Sequence, residues 1–196
     1  MEDNNQEELI LTYKICVFGD IGVGKTTLIN RYLTNEFHEN IRSTLGAAIH
    51  IKLLDIKNGK VTLQVWDFGG EYKFRFLIPT YAQGSSGGIF VFDLTNYKSL
   101  TNIIKWLPEV KKVAGDMPIL MVGSKLDLKE QRVCDKEEAL DLKELHKLQT
   151  YIECSSKTGE NVEIIFSFLL REILDQKGYT NEAGADMPKR KTEGNY

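Results

Sequence analysis

Only three cysteines occur in the 196 residues, and Cys16, Cys134 and Cys154 show neither CxxC spacing nor a nearby pair of histidines. This scarcity excludes a disulfide framework or a zinc site as the organising element and suits a reducing compartment. No apolar run approaches the ~20 residues that a membrane-spanning helix requires. The N-terminal MEDNNQEELIL is acidic before a short apolar stretch, the reverse of a secretory leader with its basic start and longer apolar core. A basic excess is missing as well: the formal net charge of −3 offers no electrostatic footprint for gripping nucleic acid. Together these absences predict a cytoplasmic protein that does not bind nucleic acid.

What is present reads as one globular domain. With 42% hydrophobic and 27% charged residues, a chain of this length can bury about two thirds of its unfolded surface in a single core. Short β-type runs alternate with stretches of helical period. TYKICVF (residues 12–18) is followed by a Gly-rich turn and TTLINRYL, which predicts strand, loop and helix. Residues 49–56 and 61–66 are strand-like, and Asn58-Gly59 between them predicts a tight antiparallel hairpin with both turn residues at positive φ. Further strands are expected at residues 88–92, 119–122 and 151–154, and helices near residues 97–113, 136–147 and 162–174. In the last of these, Val162, Ile165, Phe166, Leu169 and Ile173 share one face. The expected architecture is a doubly wound α/β domain: a six-stranded, mostly parallel sheet with one antiparallel edge strand and helices on both faces. Residues 12–176 form the expected domain. Residues 1–11 are read as a flexible extension, and residues 177–196, which lack apolar period, as a flexible tail.

The strongest local signal is GDIGVGKT at residues 19–26. It matches G-x-x-x-x-G-K-[ST] and lies between an expected strand and an expected helix, the context in which such a loop wraps phosphates. Glycines allow close backbone approach, and the helix start directs unpaired N–H groups and a positive dipole end at an anion. Gly22, Val23, Gly24, Lys25, Thr26 and Thr27 are therefore candidate phosphate contacts. The Lys25 charge would offset the terminal phosphates, and the Thr26 hydroxyl is a candidate Mg²⁺ ligand. Asp67, at the end of LQVW, is a second candidate for Mg²⁺, held through the water shell. Gly69 and Gly70 follow it and would let the backbone approach a γ-phosphate. In GSKLDL (residues 123–128), Asp127 can accept hydrogen bonds from guanine N1–H and its exocyclic amine, a donor pair that adenine lacks. The aliphatic stem of Lys125 could lie along the base. Taken singly, a lone strand-end Asp or an SKLD tetrapeptide reads equally well as a cap or a solvated loop.

In this order the motifs resemble those of the Ras superfamily of small GTPases, over about residues 13–174, and most closely the Rab branch. The resemblance implies a P-loop GTPase domain that binds GTP or GDP with Mg²⁺ and cleaves GTP, with switch loops at roughly residues 35–47 and 67–81. It makes Thr44 the first-switch threonine, a contact to Mg²⁺ and the γ-phosphate, and sets Phe37 against the guanosine. It assigns Ser124, Lys125 and Asp127 to an approximate NKxD motif, and Ser155, Ser156 and Lys157 to the remaining guanine loop. Cleavage would fall to Glu71, Lys25, Gly70 and Thr44. Trp66 and Tyr81, with Ile49 in third place, match an effector-binding trio whose plain alternative is core packing. Effectors, an exchange factor and an activating protein are the implied partners.

Four departures stand out. Glu71 replaces the family's Gln, Ile21 adds bulk where an arginine finger would enter, and Ser124 is shorter than the usual Asn. No cysteine follows Cys154 for prenylation, nor does Glu2 permit myristoylation, so no lipid anchor is expected from this sequence. Besides a slow GTPase switch, a hydrolysis-deficient GTP-binding scaffold fits these residues. An ATP-dependent P-loop kinase fits less well, because no arginine-rich lid segment occurs.

Overall fold

A computed structural model describes residues 8–39 and 41–180 of the chain. Six strands form one sheet in the order β2-β3-β1-β4-β5-β6. They are β1 (Leu9–Phe18), β2 (Ala47–Ile56), β3 (Gly59–Phe68), β4 (Gly87–Asp93), β5 (Ile119–Ser124) and β6 (Thr150–Glu153). All neighbours run parallel except β2 and β3, so β2 is the antiparallel edge and the expected architecture is the observed one.

Alternation along β1 sends Tyr13, Ile15 and Val17 to one core and Cys16 and Phe18 to the other, as a strand covered on both faces requires. The first core is closed by α1 (Lys25–Thr34) and α6 (Val162–Gln176). The second is closed by α2 (Ile78–Ala82), α3 (Tyr97–Thr101), α4 (Ile103–Ala114) and α5 (Lys136–Leu145). Tyr32 of α1 stacks on Phe166 of α6 with ring centroids 3.8 Å apart, which ties the helix that starts at the Gly-rich loop to its neighbour on the same face of the sheet.

Several local expectations need correction. Strand β1 begins at Leu9, inside the segment read as an extension, because Leu9, Ile10 and Leu11 pair with Gly59, Lys60 and Val61. The hairpin turn is Lys57-Asn58, with Ile56 opposite Gly59, and neither Asn58 nor Gly59 has a positive φ. Gly59 is needed there for room: a Cβ on it would collide with the backbone of Leu9. The single helix expected over residues 97–113 is two, parted at Asn102 (φ −69°, ψ −2°), whose side chain is drawn to Asp20. The expected tail begins with an ordered stretch, since Tyr179 donates its N–H to the Leu174 carbonyl at 2.8 Å and packs on the core. The remainder of the tail, 181–196, and residues 1–7 of the extension lie outside the described residues.

Candidate functional site

A cavity of about 370 Å³ opens where β1, β3 and β5 end, the edge at which parallel α/β sheets receive ligands and a size suited to a small molecule. The Gly-rich loop forms its floor. Gly24 caps α1 at φ 95°, ψ 20°, a left-handed conformation that favours glycine. The helix start carries no side-chain cap, which leaves its first N–H groups as donors of the kind that bind anions. Gly22, Gly24, Lys25, Thr26 and Thr27 line the cavity. Val23 does not, being buried in the core beneath. The Lys25 ammonium arches back over the loop to the carbonyls of Gly19 (2.9 Å) and Asp20 (2.8 Å). Burial pushes its pKa down to about 8 against the opposing pull of Asp67 and Asp20, and phosphate oxygens beside it would favour the charged form.

Three oxygens from three separate segments meet next to this lysine. The Thr26 and Thr44 hydroxyls both reach Asp67 Oδ2, at 2.5 and 2.9 Å, and lie 2.8 Å from each other. Two hydroxyl protons cannot satisfy three such contacts. Asp67 Oδ1 is buried without a hydrogen-bond partner, and desolvation raises the Asp67 pKa despite the help of Thr26, Lys25 and Thr44. A crowded set of hard oxygens around an under-satisfied carboxylate is the donor chemistry of Mg²⁺, whose ligands at about 2.0–2.1 Å stand roughly 2.9 Å apart on an octahedron. The residues fit that ion.

The opposite end of the cavity is lined by Phe37, Ser124, Lys125, Asp127, Ser156 and Lys157. Asp127 is oriented by Ser155, whose hydroxyl donates to Oδ1 at 2.6 Å. Ser155 itself is fully buried and acts beneath the cavity wall. Lys125 is held in the left-handed region at φ 64°, a strained backbone state typical of functional loops, and its ammonium pairs with Asp93 at 2.6 Å. The Ser124 hydroxyl lies within bonding distance of the carbonyls of Val23 (2.6 Å) and Phe92 (2.9 Å). Ser124 therefore ties the phosphate loop to the sheet, its hydroxyl committed to these carbonyls. Arg132 grips Glu153 with both terminal nitrogens, at 2.8 and 2.6 Å, and the Leu126 N–H bonds the Cys154 carbonyl at 3.0 Å. These links brace the two loops that carry Asp127 and Ser155. Desolvation would raise the Glu153 pKa, but hydrogen bonds from Arg132 and Tyr151 and the Arg132 charge outweigh it and hold the carboxyl below its ordinary value.

Gly70 lines the cavity and presses on the phosphate loop, where a Cβ would collide with Asp20 and Ile21 backbone atoms. Glu71 does not line it: its carboxylate turns to the Lys73 ammonium at 2.8 Å. Ile21 stands half-exposed in the lining. The two loops on either side of the cavity are joined where the Gly69 N–H donates to the Gly46 carbonyl at 2.7 Å. Trp66 and Tyr81 lie with ring centroids 6.2 Å apart, and Ile49 is the cross-strand partner of Trp66. The sequence reading missed Asp20, Asp93, Arg132 and Glu153. Asp20 stands inside the recognised motif, but at a position the motif leaves open.

Over residues 14–175 the chain matches the Ras family. It is 36% identical to Ras-related protein Rab-13 of Canis lupus familiaris, across 85% of this chain and 82% of that protein. Ras-related protein Rab-1 of Theileria parva is 38% identical, across 84% of this chain and 75% of that protein. GTP-binding nuclear protein GSP1 of Encephalitozoon cuniculi is also 38% identical, across 82% of this chain and 76% of that protein.

Proposed function

This chain belongs to the Ras family, as a Rab-like small GTPase, and from that premise we propose that its cavity takes GTP or GDP with Mg²⁺ and that residues 35–47 and 67–81 are its nucleotide-sensing switches. The observation that carries this reading is the convergence of Thr26, Thr44 and Asp67 beside Lys25. One of those side chains comes from the phosphate loop, one from each switch. Losing the γ-phosphate would remove what holds Thr44 in place and let the first switch relax.

In this reading the free N–H groups at the start of α1 bind the β-phosphate and Lys25 offsets the charge of the terminal phosphates. Thr26, Thr44 and Asp67 would hold Mg²⁺, which would supply positive charge to offset that of the terminal phosphates. The Gly70 N–H reaches toward the γ-phosphate. Asp127, oriented by Ser155, accepts from the guanine N1–H and amine. Lys125 and Phe37 flank the base, with Ser156 and Lys157 closing the loop around it. Glu71 orients the attacking water as a hydrogen-bond acceptor.

That last role requires Glu71 to leave Lys73, so we expect slow intrinsic cleavage. At the limit the chain is a GTP-binding scaffold, and the Glu71–Lys73 pair is the observation that favours this second reading. Effectors would read the switches through Trp66, Tyr81 and Ile49, in a Rab-like trafficking or signalling role, with an exchange factor and an activating protein as regulators. Three free, buried cysteines suit a cytoplasmic location, and no helix among the described residues is long and apolar enough to cross a membrane. Single-turnover cleavage of GTP with Mg²⁺ and with chelator tests the reading. Slow, Mg²⁺-dependent release of phosphate is expected. Binding without cleavage would select the scaffold, and no binding would refute both.

A further inference from the structure

The phosphate loop carries one side chain that nucleotide binding does not use. The Asp20 backbone is fixed by Lys25, but its carboxylate turns away from the cavity into a half-buried cluster. Oδ1 accepts from the Trp106 indole N–H at 2.8 Å and from an Arg75 terminal nitrogen at 3.1 Å, and Oδ2 accepts from the Asn102 amide at 2.5 Å. The Arg75 guanidinium also lies over the Trp106 ring, 4.5 Å from its centroid. The side chains of Arg75 and Asp20 are only 15% and 18% exposed, so their pairing is screened far less than a surface ion pair.

Little else holds residues 72–77, whereas α2 just beyond them is seated by Ile78 and Ala82 in the second core. The 3-10 turn Tyr72–Leu77 buries none of its residues, and Tyr72 and Phe76 are largely exposed. Gly70, just before it, is packed on the backbone of the same Asp20. The segment carrying Glu71 is thus fastened at both ends to one phosphate-loop residue, by backbone packing at Gly70 and by the guanidinium at Arg75.

We propose that Asp20 and Arg75 form a latch that divides the second switch, anchoring it to the phosphate loop and α4 from Arg75 onward in either nucleotide state and leaving residues 71–74 as the part that responds to the nucleotide. Arg75 is a positioning residue in this scheme. The proposal rests on the switch reading above for its functional meaning, but its geometry does not.

Hydrogen–deuterium exchange of the full chain, unloaded and loaded with GDP or a non-hydrolysable GTP analogue, tests it. In the natural protein residues 75–82 should exchange alike in both loaded states, while residues 71–74 differ. Arg75→Met, which keeps length but removes the charge and its hydrogen bonds, should speed exchange across 72–77 by about tenfold and leave β1 and β4 unchanged. Arg75→Lys should recover much of the protection, which a general loss of packing would not. Unchanged exchange in Arg75→Met, an Arg75→Lys variant as open as Arg75→Met, or nucleotide-dependent exchange at 75–82 in the natural protein would each overturn the latch. If neither nucleotide alters exchange anywhere, the switch reading fails instead, and the Arg75 comparison in the unloaded chain still decides the latch.

Discussion

Replacing Gly69 with alanine adds a single methyl group at the point where the two switches touch. A Cβ there would stand 2.5 Å from the Thr44 carbonyl oxygen and 3.0 and 3.2 Å from the Gly46 oxygen and nitrogen, against ordinary contact from 3.4 Å. All three neighbours are backbone atoms, so no side chain can rotate aside and the first switch must retreat by roughly an ångström. Overpacking of this kind costs about 1–3 kcal/mol. It falls on the closed arrangement alone, together with strain on the 2.7 Å hydrogen bond from the Gly69 N–H to Gly46. In our reading only the triphosphate state needs Thr44 closed, so Gly69→Ala should weaken GTP relative to GDP by roughly fivefold to 150-fold. Dissociation constants for a fluorescent GTP analogue and for GDP, measured on both proteins, give this ratio directly. An unchanged ratio would mean that residue 69 and the Thr44 carbonyl are not in contact in the triphosphate state, and the closure argument would be wrong.

Four further outcomes are expected. Asp127→Asn should lose preference for GTP and gain affinity for xanthosine triphosphate, because an amide offers a donor to xanthine's added carbonyl; competition binding reads the exchange. Ser124→Ala should hasten GDP release about fivefold, the worth of one hydrogen bond of about 1 kcal/mol between phosphate loop and sheet, and an unaltered off-rate would deny that tether. Glu71→Ala should slow single-turnover cleavage while leaving GTP affinity nearly intact, and equal rates would remove Glu71 from water positioning. Because the folded Glu153 carboxyl is held below its ordinary value, its contribution to stability is present above the unfolded pKa and is lost as pH falls through the folded one. Arg132→Met should abolish this component of the acid limb, seen as a shallower loss of thermal stability below about pH 4.3.

Legibility in the sequence followed the range of the interactions. The phosphate loop was readable because its geometry is local: a strand end, glycines, and a helix start with free N–H groups all lie within residues 18–27. The alternation of β1 between two cores likewise reads directly as a strand covered on both faces. Gly59 misled because its partner is Leu9, fifty residues away, and steric room rather than a positive φ is what a glycine supplies there. Ser124 was read for the base contact its short side chain cannot make, whereas its neighbour Val23 is reached only across the folded sheet. The Asp20 cluster joins residues separated by 55, 82 and 86 positions, and no spacing rule reports such a pairing. Asn102 belongs to that cluster and stands where the helix predicted as continuous is broken in two.

That this cavity takes guanine nucleotide can be tested by denaturing the purified protein and identifying by chromatography what it releases. We predict GDP or GTP in near-equimolar amount, depleted when the protein is incubated with chelator because Thr26, Thr44 and Asp67 then lose their shared metal. Release of an adenine nucleotide, or of no nucleotide from protein that also fails to take up added GDP with Mg²⁺, would contradict the account.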